Sequence, residues 1–70
     1  MLGWVWVENN IKNWREYHGI SQRELARKVG ITSAAMSGIE RGVHLPNVLL
    51  AIRIAKALGV STEQLWEEEI

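Results

Sequence analysis

An all-α fold of five short helices in one domain is predicted by three observations. Gly19, Gly30, Gly42 and Gly59 each follow an apolar-periodic stretch, where a helix commonly ends in a left-handed residue. Hydroxyl and amide residues of the kind that cap helix N-termini stand where those stretches begin. Between these marks the apolar residues recur at three- and four-residue steps, which line one helical face, rather than at the alternation of a strand.

Each start has its own chemistry. Ser21-Gln22-Arg23-Glu24 is a capping box: the Ser oxygen accepts from a free backbone N–H while the Glu reaches back to the N–H of the cap. Ser61-Thr62-Glu63-Gln64 repeats it. Thr32 and Asn47 are single N-caps, the second just after Pro46, which closes the preceding loop. The helices are therefore expected near 9–18, 22–29, 33–41, 48–58 and 62–68. Their inward faces read as Ile11 and Trp14; Leu25, Ala26 and Val29; Met36 and Ile39; and Val48, Ala51, Ile52, Ala55 and Leu58. Residues 9–70 form the domain and residues 1–8 an N-terminal arm. The arm's LGWVWV alternates weakly like a strand, yet Trp4, Val7, Ile11 and Trp14 also fit a helix begun early.

Composition narrows the function. A chain of 70 residues is one domain, and at that size only about 60% of the unfolded surface is buried, so association adds welcome stability. With no cysteine, disulfides, thiolate metal sites and thiol nucleophiles are excluded. The opening MLGWVWV lacks the positive region of a signal peptide and no apolar run approaches ~20 residues, so a soluble, cytoplasmic protein is expected. The net charge is zero, but all eight Lys and Arg lie within residues 1–60, beside four of the eight acids, and the other four acids fall in residues 61–70. The body is basic and the tail acidic, the tail being read as a solvated helix end. His18 and His44 have no metal-ligand spacing and are expected to be solvated imidazoles. No nucleophile with its base, phosphate-cradling glycine loop or paired-carboxylate site is present, so neither an enzyme nor a cofactor or metal is expected.

Gly30-Ile31-Thr32 between helices 2 and 3 is the short glycine-containing turn of a helix-turn-helix. Ala26 is small enough for the two helices to approach, Gly30 supplies the positive φ that reverses the chain, and Ile31 plugs the angle between them.

On these residues, from Ile11 to Leu65, the chain resembles the phage-repressor and Cro-type helix-turn-helix family, the XRE-like regulators. The matching segments are IKNWREYHG, SQRELARKVGIT, MSGIERG, Pro46 and AKALGVSTEQL. The resemblance implies a compact five-helix, lambda-repressor-like domain. It also implies binding of double-stranded DNA, as two-fold homodimers on palindromic operators, with helix 3 in the major groove and helix 2 over the phosphate backbone. By the same resemblance Gln22 holds a phosphate at the start of helix 2, and Thr32, Ser33, Ala34, Ser37 and Gly38 face bases and flanking phosphates. Arg41 and His44 sit by the backbone, and Arg23 and Arg27 are either outer phosphate contacts or solvated helix charges. Arg15 and Glu40 are expected to form a structural ion pair that fixes helix 3.

The departures from the family pattern bear on specificity. Ala34 and Gly38 stand where relatives often carry Gln, Arg, Lys or Asn, and Val43 and Leu45 where relatives often carry basic residues. Base reading by bidentate hydrogen bonds is reduced, leaving the Ser33 hydroxyl, the Thr32 and Ala34 methyls, close approach at Gly38 and DNA shape. Leu45, Leu49 and Trp66, with Val43, are expected to form an exposed patch that serves as a dimer interface, while Leu50 extends the core. The expected function is a sequence-specific, repressor-like transcriptional regulator. The alternative is a protein-interaction module on the same scaffold, holding a protein partner through the Trp4/Trp6 arm and the Leu45/Leu49 patch.

Overall fold

A computed structural model describes residues 8–66. Five helices follow in order: α1 (Ile11–Tyr17), α2 (Gln22–Val29), α3 (Ser33–Glu40), α4 (Val48–Leu58) and α5 (Thr62–Leu65). The arm's residues 1–7 and the tail residues 67–70 lie outside the described residues.

The caps fold as their chemistry dictates. Ser21 accepts from Glu24 N–H at 3.0 Å while the Glu24 carboxylate accepts from Ser21 N–H at 3.1 Å. Ser61 and Gln64 repeat the exchange at 3.2 and 2.9 Å. Thr32 accepts from Ala35 N–H at 3.0 Å and Asn47 from Leu50 N–H at 2.8 Å. Every one of these bonds satisfies a donor that a helix start would otherwise leave free.

Each helix delivers at least one fully buried side chain to a single core: Ile11 from α1, Leu25 from α2, Met36 from α3, Ile54 and Leu58 from α4, and Leu65 from α5. Here the expected face of α4 is corrected. Val48 is 77% and Ile52 40% exposed, whereas Ile54 is completely buried. Among the eleven residues of α4 only Arg53 and Lys56 are polar, so its periodicity leaves the inward direction open, and packing against α2 and α5 selects it. Leu50 is half-buried against the core.

The helix ends are also corrected. α1 begins at Ile11, not near residue 9, because Asn9 and Asn10 are engaged elsewhere. The Asn9 side chain accepts from Ile11 N–H at 3.1 Å and donates to the Ile39 carbonyl at 2.9 Å, clasping the end of α3. Asn10 donates through its backbone N–H to the Leu65 carbonyl at 2.9 Å and through its side chain to the Gln64 carbonyl at 3.1 Å. α5 ends at Leu65, where Trp66 leaves helical geometry. His18 is not a free imidazole: its Nε2–H donates at 2.8 Å to the Leu58 carbonyl, one of the acceptors left open at the end of α4. Its ring lies nearly parallel to Trp14 and edge-on to Tyr17.

Candidate nucleic-acid interface

The α2–turn–α3 unit is held from both sides. Gly30 ends α2 at φ 83°, a left-handed conformation that a Cβ would strain. Its N–H bonds back to the Ala26 and Arg27 carbonyls. Ile31 N–H also donates to the Ala26 carbonyl, at 3.0 Å, and the Ile31 side chain packs against the core. Ala26, only 1% exposed, keeps the two helices close. The turn therefore sets the angle of α3 through backbone bonds and an apolar plug together.

α3 buries Met36 and Ile39 and turns the opposite side outward. Thr32, Ser33, Ala34 and Arg41 are exposed and Ser37 is half-buried. Ala34, Ser37 and Arg41 fall at three- and four-residue steps, so they share one face. Arg41 Nε donates to the Ser37 carbonyl at 3.3 Å, which lays the guanidinium along α3. Arg23 and Arg27 are exposed on α2.

Gly38 departs from its expected role. Although it belongs to the outward side by position, it is buried. Gly42, at φ 80°, folds the chain back so that Val43 N–H and His44 N–H both donate to the Gly38 carbonyl, at 3.0 and 3.3 Å. The His44 imidazole then lies over Gly38. A Cβ added there would collide with His44 Cδ2 and stand 3.2 Å from Nε2. The glycine accommodates the loop of its own chain rather than an approaching ligand. Residue types alone carry no sign of this, because the contact depends on how Gly42 aims the loop.

Behind α3, Arg15 and Glu40 form a two-pronged ion pair. Arg15 Nε donates to Glu40 Oε2 at 2.9 Å and Nη2 to Oε1 at 3.2 Å, while Nη1 donates to the Ile20 carbonyl at 3.0 Å. The side chains are 12% and 5% exposed. The hydrogen bond to Glu40 raises the Arg15 pKa, desolvation opposes that rise, and attraction to Glu40 and Glu16 adds to it. Gln22, expected to hold a phosphate at the start of α2, donates through Nε2 to Glu40 Oε1 at 3.2 Å. The amide keeps a second N–H and its carbonyl oxygen for an outside partner. Glu40 thus joins α1, α2 and α3 at one carboxylate.

The expected apolar patch is present with a changed membership. Leu45 is 67% and Leu49 57% exposed, and Val43, Val48 and Ile52 stand exposed in the same loop and first half of α4. Trp66 does not belong to it, being half-buried against the core. Among the described residues no helix is long and apolar enough to cross a membrane, and no three His, Asp or Glu are grouped to hold a metal ion.

Comparison with known proteins places this geometry. The HTH-type transcriptional regulator YgzD of Bacillus subtilis is 38% identical over 64 residues, covering 90% of this chain and 97% of YgzD. Among solved structures, the P22 c2 repressor in complex with a synthetic operator matches with a TM-score of 0.79 at 30% identity, over 86% of this chain and 91% of the repressor. The N-terminal DNA-binding domain of SinR from Bacillus subtilis matches with a TM-score of 0.75 at 33% identity, over 86% and 88% of the two chains. The model of the helix-turn-helix family matches residues 11–65, from the first residue of α1 to the last of α5. With the Gly30 turn, the capped α3 and the Arg15–Glu40 pin inside that span, the chain belongs to the helix-turn-helix family.

Proposed function

We propose that the chain is a sequence-specific, DNA-binding transcriptional regulator that presents α3 to the major groove of double-stranded DNA and acts as a repressor-like homodimer. The observation that carries this is the exposed first turn of α3, with Thr32, Ser33 and Ala34 outward at the end of a rigid turn. Arg23, in the first turn of α2, and Arg41, at the end of α3, are exposed cations of the same helix-turn-helix unit. An α-helix fits the major groove, and cations beside it meet phosphates. The likeness to the P22 c2 repressor, solved in complex with a synthetic operator, supports the binding of DNA.

In this reading Arg41 positions and Ser33 discriminates. Arg41→Ala is expected to weaken binding to every duplex alike and to make the log–log salt dependence shallower by about 0.9, one released counterion. Ser33→Ala is expected to leave random-duplex affinity nearly intact and to cost about 1 kcal/mol of preference for a selected operator. Salt titrations on random and selected duplexes separate the two. Absence of binding to random duplex at low salt overturns the DNA-binding reading.

The dimer rests on the exposed apolar side chains of Val43, Leu45, Val48, Leu49 and Ile52, which contact between two copies would take out of water. Leu49→Glu is expected to yield a monomer by sedimentation equilibrium, with thermal stability of the isolated chain little changed, because Leu49 is already 57% exposed. A parent that is monomeric at high concentration removes the interface. The same surface supports a second reading, a partner protein held by the patch. A monomeric parent that binds no duplex would favour it.

A further inference from the structure

α3 has no side chain at position 38, yet that position falls on its outward side, one turn after Ala34 and next to Ser37. The space is not empty. Gly42 reverses the chain, the Val43 and His44 N–H groups both close onto the Gly38 carbonyl, and the imidazole is left over the Gly38 Cα. Its Nε2 and Cγ stand 3.2 and 3.3 Å from where a position-38 Cβ would be. His44 is itself exposed. The ring therefore occupies the start of the path that a side chain at position 38 would follow, and it carries hydrogen-bonding nitrogens where glycine has none.

We propose that His44 supplies, from the loop, the base-reading side chain that α3 lacks at Gly38. Its imidazole N–H donates to an acceptor on a purine edge, N7 or guanine O6, in the major groove. Arg41 remains the nearby phosphate contact, so the two residues do different work. Because the loop is pinned by two bonds to one helix carbonyl, the ring is placed before DNA arrives and loses little freedom on binding. This assignment rests on the DNA-reading function proposed above and adds the residue that sets one base preference.

The experiment is selection of operators from a random duplex library by the parent, by His44→Ala and by His44→Ala combined with Gly38→Gln, each first checked for folding by circular dichroism and thermal melting. His44→Ala is expected to keep most of the parent motif but to lose about tenfold discrimination at one base pair in each half-site. Removing the ring takes away the three atoms nearest to a position-38 Cβ, and Gly38→Gln is expected to restore a preference at that same base pair, now for adenine. If His44→Ala does not fold, His44→Gln is selected instead, and a changed base at a single position supports the assignment. An unchanged motif, or equal weakening on all duplexes as for a phosphate contact, overturns it while leaving groove reading intact. A parent that enriches no motif overturns both.

Discussion

Ile54→Ala is expected to destabilise the domain by about 3 kcal/mol, whereas Ile52→Ala, two residues away on the same helix, should cost less than ~1 kcal/mol. Ile54 is completely buried, and truncating it removes apolar contact and leaves a cavity between α4 and the rest of the core. Ile52 is 40% exposed and loses little. In a domain of this size the first change consumes much of the total stability, a melting shift of roughly 15 °C, since each kcal/mol moves a small domain by about 4–8 °C. Urea unfolding of both variants measures the contrast directly. Equal losses would mean that α4 is rotated about its axis from the orientation described.

Arg15→Ala is expected to cost a similar amount, about 3 kcal/mol, for an electrostatic reason. Glu40, with a side chain 5% exposed, would lose both bonds from Arg15, retaining only the amide of Gln22. A buried charge stripped of its partner is far more costly than the net contribution of the pair. Replacing both partners with apolar residues of similar volume, Arg15→Met with Glu40→Leu, should therefore recover much of the loss. Denaturant unfolding of the single and double variants tests this. If Arg15→Ala unfolds like the parent, the pair does not hold α3. The double variant also separates stability from function: it leaves Gln22 without its Glu40 partner, so it should bind random duplex more weakly than the parent even when fully folded.

Much of this is legible in the sequence. Helix order, the two capping boxes, the Thr32 and Asn47 caps and the left-handed glycines depend on residues within four positions of one another, and local chemistry decides them. The helix-turn-helix was legible for the same reason. Ala26, Gly30, Ile31 and Thr32 lie within one short segment of the chain, and each acts on the turn through its own backbone or its nearest helix.

What only the tertiary structure decided are the contacts between groups far apart in sequence and the direction of faces that pattern leaves ambiguous. α4 is apolar nearly all round, so its propensity and spacing were satisfied whether Ile52 or Ile54 turned inward, and the hollow between the other helices made the choice. Asn9 reads as the first residue of helix 1 and His18 as a solvated imidazole, until the fold brings the Ile39 and Leu58 carbonyls within their reach. Gly38 read as an opening toward a ligand, yet the turn at Gly42 covers it with His44. By itself, then, the sequence determined which helices form, where they start and stop, and the family they build. The packed fold determined which side chains those helices leave free to act, because burial and hydrogen bonding are settled between elements rather than within them.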